Sequence, residues 1–543
     1  MVNRNLIILP LLAALFLFAG KVFAGDAPPM SEEEFSKAKQ IYFDRCAGCH
    51  GTLRKGATGP SLTTDKTQAI PVQALETLLS EGTPGGMPPW KNILSKQDIT
   101  LVAKYLQNEP PQPPQWGLED MRKSWKVYVP VEKRPVNPPN GGTNWQNFFG
   151  VILRNAGKVA IIDGDTKKIV TTLDTGYAVH ILRTSATGRY MYSIGRDGKA
   201  TLIDLWASPP NIVAEIKTGF DARSIDTSKF AGSDHMDKHD GDSFNYLDRY
   251  AIVGDYWPSH YVIMKGDTLE PLKVVSTLGY TYDTNEYLPE ARVAAIVASH
   301  SKPEWVVNIK EAGVVLLVDY SKLENGTITE TRIDAERFLH DGGWDSTKRY
   351  FMVAANMRNK VAVIDTVERK LVALVDTGNK PHPGRGANWD DPKYGPVWAT
   401  THLGEGKISV IGTDPIRHSR YSWRVVRELQ TAGNGLFVKT HPKSNNIWAD
   451  NTLSKDLKDA QTITVFDKNN IDAGPTNIKL TDKGKIVHLE YNKAGDEVWI
   501  SVWDNDGEII VIDDKTRQIK NRIKGLVTPT GKFNVYNTML DIY

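Results

Sequence analysis

Cysteine is almost missing: two thiols in 543 residues cannot staple a fold, so a disulfide scaffold is excluded. Neither sign of charge is in surplus, with 66 basic against 64 acidic residues, and a main role in binding nucleic acid goes with it. Long apolar runs are scarce as well. The one near the start, Leu6–Phe18, is short for a spanning helix. It sits between Arg4 and the small-x-small pattern Val22-Phe23-Ala24, so residues 1–24 read as a secretory signal peptide. The expectation is an exported protein with no stable membrane insertion after cleavage. Losing Arg4 and Lys21 leaves equal numbers of basic and acidic residues.

The two cysteines are spent together. Ser31-Glu32-Glu33-Glu34 is a capping box, and an apolar-periodic helix follows through Phe35, Ala38, Ile41 and Tyr42. It runs into Cys46-Ala47-Gly48-Cys49-His50, the c-type haem attachment pattern, in which two thiols bond the porphyrin and the histidine binds iron. A sixth ligand is expected on a later loop. Met87 lies in Gly82-Thr83-Pro84-Gly85-Gly86-Met87-Pro88-Pro89-Trp90, too rich in Pro and Gly for helix; an ordinary core methionine is the competing reading. Ser95-x-x-Asp98 caps a last helix through Val102, Tyr105 and Leu106, and Pro110–Pro114 is a stiff spacer. Residues 25–115 read as a small α-helical, class I-like cytochrome c domain, and 116–139 as a linker.

From residue 140 the texture changes. Short β-branched blocks, most ending in aspartate, recur as 158–163, 199–204, 261–265, 315–319, 360–365, 407–412, 462–467 and 508–513. Their ends are 41 to 61 residues apart, about 50 on average. Eight such repeats predict an eight-bladed β-propeller over 140–543, with a two-sheet sandwich as the alternative. His180 and His382 each stand 17 residues past their block's aspartate, Asp163 and Asp365. Assigned to repeats one and five, they approach one axial cavity from opposite sides. His340, ending repeat four, shares a side with His382. Arg223 holds the same offset from its Thr-Gly in repeat two. His402 and His441 carry no positional argument and read as structural. The polar stretch Asp234–Asp240 reads as a solvated surface loop despite its two histidines.

These strings resemble the cytochrome cd1 nitrite reductases: Arg45–Gly51, Gly176–His180, His340–Trp344, Pro381–Gly386 and Thr528–Asn537, spread over nearly the whole mature chain. The resemblance implies a periplasmic homodimer with haem c in the small domain and non-covalent haem d1 in the propeller. It implies one-electron dissimilatory reduction of nitrite to nitric oxide, fed by a soluble donor such as a small cytochrome c or cupredoxin. Cys46 and Cys49 then carry haem c, His50 and Met87 bind its iron, and His180 binds the iron of haem d1. His340 and His382 become the distal proton donors. Haem d1 bears several carboxylates, and Arg154, Arg183, Arg196, Arg223 and Arg385 are the candidates to pair with them. Gly25–Met30 contains no tyrosine, which argues against the tyrosine-bearing N-terminal arm of some members. No histidine precedes His50 in 25–49, which supports Met87 over a second histidine. The alternatives are a dihydro-haem d1 dehydrogenase, or a protein that carries d1 during its biosynthesis.

Overall fold

The structure is a computed structural model that describes residues 27–56, 59–83, 87, 89–91, 93–112, 114–139, 143–232 and 245–543. The expected signal peptide and the polar stretch Asp234–Asp240 lie outside the described residues, as do Pro84–Gly86 and Pro88 around Met87. Two compact units divide at Pro111 and Gln112.

The first unit is helical. Its first helix, Glu32–Arg45, is capped reciprocally: the Glu34 amide donates to Ser31 Oγ at 3.1 Å, and the Ser31 amide to the Glu34 carboxylate at 2.9 Å. Lys96–Gln107 begins at Ser95, whose Oγ accepts from the Asp98 amide at 3.1 Å. Ala38, Tyr42, Leu75, Leu79, Val102 and Leu106 form a core against which Met87 and Trp90 pack. A buried Leu or Val contributes about 1.5–3 kcal/mol.

The second unit is the expected propeller. Eight antiparallel sheets form the blades, and the four main strands of each are consecutive in sequence except in the first, where Pro529–Asn534 joins Phe148–Leu153, Lys158–Asp163 and Ile169–Asp174. Near-terminal segments thus close the ring in one sheet, which leaves no unpaired seam. The recurring blocks are the third strand of every blade, largely buried and rich in Val and Ile.

The first strands stand innermost: Ile181–Thr184, Asp221–Thr227, Val293–Ala298, Leu339–Trp344, Pro381–Asp391, Val438–Lys439, Lys485–Tyr491 and Pro529–Asn534 touch in succession, and the last touches the first. Two buried tryptophans span neighbouring blades with their indoles satisfied. Trp305 donates to the Thr227 carbonyl at 3.0 Å and Trp344 to that of Ala298 at 3.1 Å.

Two expectations shift. The histidines do not close their repeats: His180 immediately precedes, and His340 and His382 lie on, the first strands of blades two, five and six. A blade ends with its fourth strand, so the residues after it open the next blade. The opposition of His180 and His382 survives, because both move by one blade. The segment 116–139 is packed onto the propeller. Helix Leu118–Ser124 buries Met121, and Lys126–Val127 pairs with Asn211–Lys217 as a fifth strand of blade two. Trp116 and Trp125 fasten it, donating to the carbonyls of Lys217 at 3.0 Å and Thr268 at 2.7 Å.

Candidate functional site

In the helical unit, the chain leaves helix Glu32–Arg45 and immediately turns through Ala47–His50, with Cys46 buried and Cys49 exposed. The Tyr42 hydroxyl donates to the Gly51 carbonyl at 2.8 Å and pins the end of the motif. His50 is buried, and its Nδ1 lies 2.8 Å from the Pro60 carbonyl. That bond makes Nδ1 the donor and leaves the Nε2 lone pair for a metal, the arrangement found around iron- and zinc-bound histidines. Burial lowers the pKa of His50, against the Pro60 bond, and keeps the ring neutral. A Cβ on Gly59 would fall 2.8 Å from the imidazole, so the loop closes over His50 only with glycine there. The donor set fits a covalently held haem.

In the propeller, a cavity of about 370 Å³ lies among the inner strands. It is lined by His180, His340 and His382, by Arg154, Arg183, Arg223 and Arg385, and by Asp341 and His488. Positions far apart along the chain thus line one cavity, the three histidines and four of the five candidate arginines among them. Arg196 is the exception: it does not line the cavity, and its guanidinium pairs with Asp221 at 3.2 Å. Asp221 also holds Arg223, at 2.9 Å, so Arg196 acts behind Arg223. His402 and His441 lie outside the lining; His402 Nδ1 is tied to the Lys407 carbonyl at 3.1 Å.

Irregular backbone delivers the imidazoles. His180 follows a turn in which Gly176 has φ 115° and Ala178 φ 45°, and the Tyr177 amide donates to Asp197 at 3.0 Å. The ring is exposed to the cavity yet enclosed by protein. Burial, then the Arg223 and Arg154 guanidinium groups, hold its pKa well below the ordinary histidine value. A neutral imidazole is the form that ligates iron.

Opposite, the ladders of blades five and six slip between Leu339 and Gly342 and between His382 and Ala387. These bulges turn His340, Asp341 and His382 into the cavity. The two rings are 5.2 Å apart with an interplanar angle of 46°. Asp341 spans them, its Oδ1 3.4 Å from His340 Nδ1 and its Oδ2 3.3 Å from His382 Nε2. Burial raises the Asp341 pKa, but both imidazoles outweigh it and hold the carboxyl well below its usual range. His340 is pushed down to about 4, chiefly by burial and against Asp341. His382 Nδ1 donates to the Leu436 carbonyl at 2.9 Å, so Nε2 is the atom free to gain and lose a proton.

The guanidinium groups give the cavity its sign. Arg385 donates to the carbonyls of Gly342 at 3.1 Å and Ile296 at 3.2 Å. Arg183 donates from Nη1 to the Leu182 carbonyl at 2.8 Å, but its buried Nε has no hydrogen-bond partner. Burial, with Arg385 beside it, lowers Arg183 to about 10. An orphaned buried donor calls for an acceptor from outside the chain, and a multiply carboxylated macrocycle supplies one. The donor set fits haem d1.

Asp341 and His488 were not singled out from the sequence. Asp341 lies inside the quoted string His340–Trp344, and only the bulge turns it inward. His488 stands 21 residues past Asp467, off the common offset, and reaches the lining through a slip between Val487 and Leu489 and its own φ of 57°.

Comparison with known proteins agrees with this architecture. A family model described as the cytochrome D1 heme domain matches residues 143–538, and one described as cytochrome C oxidase, cbb3-type, subunit III matches 33–106. A nitrite reductase of Stutzerimonas stutzeri is 50% identical, with 98% of each chain covered. A dihydro-heme d1 dehydrogenase of Pseudomonas aeruginosa is 27% identical, with 97% of each covered. Among solved structures, a dihydro-heme d1 dehydrogenase in complex with DHE matches at 25% identity with a TM-score of 0.69, over 93% of this chain and 100% of that one.

Proposed function

The chain belongs to the cytochrome D1 heme domain family and is built along its whole length as a cytochrome cd1 nitrite reductase, and from that membership we propose that it reduces nitrite to nitric oxide. One nitrite, one electron and two protons give one nitric oxide and one water. Haem c and haem d1, when bound, supply the electron relay and the iron at which the N–O bond is reduced.

The chain's residues divide the remaining tasks. Cys46 and Cys49 would hold haem c by thioether bonds, and His50 Nε2 and Met87 Sδ would bind its iron, a combination that suits electron transfer. His180 would offer its lone pair to the iron of haem d1. Arg154, Arg183, Arg223 and Arg385 would pair with the carboxylates of haem d1 and favour an anion in the cavity. His340 and His382 hydrogen-bond nitrite and donate its protons, His382 from Nε2. Positioned general acids are worth about 10²- to 10⁴-fold in rate. Burial favours the neutral form of His340. An anion beside it raises its proton affinity, so substrate entry loads the donor.

The observation that carries this reading is the pair of imidazoles sharing Asp341 in one cavity with His180. The dehydrogenase relatives share the fold, but at lower identity than the reductase. Steady-state nitric oxide formation from nitrite tests the assignment: a reductase turns over many times, whereas a dehydrogenase or carrier does not.

The remaining reading follows the family. The protein works in the periplasm as a homodimer and takes electrons from a small soluble cytochrome c or cupredoxin. No helix among the described residues is long and apolar enough to cross a membrane.

A further inference from the structure

The proton donor His382 is held by a carbonyl, and what holds that carbonyl is not a β-ladder. Blade seven's first strand is only Val438–Lys439, paired with Ala449 and Trp448. Leu436 and Phe437 lie before this pairing begins, where a longer strand would have fixed them through its ladder. Yet both line the cavity and both touch His382: the Leu436 carbonyl accepts from Nδ1 at 2.9 Å, and the Phe437 ring stands edge-on at 5.9 Å.

The missing ladder is replaced by one side chain. Asp450, fully buried at the end of strand Asn446–Ala449, accepts from the Leu436 amide at 2.7 Å and the Phe437 amide at 3.1 Å through Oδ1. Its Oδ2 accepts from the His488 amide at 2.9 Å, in the next blade. Its own amide donates to the Phe437 carbonyl at 3.2 Å. The peptide that presents the Leu436 carbonyl is therefore clamped from both sides, across two blades.

We propose that Asp450 is a positioning residue for His382: its buried carboxylate fixes the Leu436–Phe437 backbone, which sets the tautomer and direction of the proton-donating imidazole. With Nδ1 committed to the carbonyl, the exchangeable proton sits on Nε2, which faces Asp341 at 3.3 Å and the cavity. Releasing the clamp lets both tautomers form and lets the ring turn. A misplacement near 1 Å can cost about 10²-fold in rate without changing which groups are present. The inference deepens the nitrite reading and rests on it.

The test is a double-mutant cycle in the purified holoenzyme, using Asp450→Asn, His382→Ala and the two combined, with nitrite turnover followed by a nitric oxide electrode. Asp450→Asn is expected to keep both haem spectra, lower kcat about tenfold and leave KM within about threefold. In the His382→Ala background the same change is expected to cost nothing more, because the residue it positions is gone. Equal losses in both backgrounds, or no loss in the native one, overturn the proposal. Asp450→Ser, smaller and free of steric conflict, serves as a second variant. Loss of the d1 chromophore from both variants also overturns it, since the role would then be to shape the cavity. Wild-type turnover in the same assay separates the two claims. No nitric oxide from wild type ends the nitrite reading and this inference with it, whereas wild-type turnover with additive variants ends the inference alone.

Discussion

His340 and His382, on neighbouring blades, face each other with ring centres 5.2 Å apart and one carboxylate, Asp341, between them. Two imidazoles and an acid so arranged can present protons to an anion from a single side. His180 meets the cavity from the blade opposite His382.

Removing either donor should leave the cofactors in place and remove the chemistry. His382→Ala and His340→Ala are expected to retain both haem spectra and to lose about 10²- to 10⁴-fold in nitrite turnover. Unchanged turnover in either variant takes that histidine out of the proton-donor role.

The carboxylate between them has its own signature. Asp341→Asn keeps the shape but removes the negative charge that faces both rings at 3.4 and 3.3 Å. A fall in kcat of about tenfold is expected, with d1 content unchanged. Full activity would mean that the rings are oriented without it.

Proton loading predicts a pH dependence of substrate affinity. Burial holds His340 near 4 and an anion beside it raises that value, so binding takes up a proton wherever the pH lies between the two. Affinity then weakens as pH rises, by at most about tenfold per unit. KM for nitrite measured from pH 5.5 to 8.5 should climb and should flatten in His340→Gln. A flat wild-type profile contradicts the coupling.

The iron ligands separate by spectrum. His180→Ala is expected to lose or misligate haem d1 while the haem c bands stay intact. Met87→His is expected to lower the haem c potential, because an imidazole stabilises the oxidised iron relative to a thioether. Normal d1 bands in the first variant, or an unmoved potential in the second, point to different ligands.

Much of this was legible in the sequence because propeller geometry converts a period into a direction. The block ending in Asp163 or Asp365 marks a third strand, and a fixed number of residues later the chain must be on the next inner strand. His180 and His382 were found that way. The boundary was misplaced by one blade because the blocks announce third strands, not blade ends. Asp341 and His488 were beyond the same logic. Each reaches the lining through a ladder slip, which changes which face a side chain occupies without leaving a periodic trace. Arg196 shows the converse: its type suited the cavity, but Asp221 claims its guanidinium. Asp450 was invisible because its role depends on the shortness of a neighbouring strand.

The central claim is that one cavity, with His180 on one side and His340 and His382 on the other, turns nitrite into nitric oxide. The most direct measurement counts the nitric oxide formed per electron consumed by the purified, d1-loaded protein, with excess nitrite and a reduced small cytochrome as donor. The account predicts one nitric oxide per electron over many turnovers. A protein that carries both haems and oxidises the donor without releasing nitric oxide would contradict it.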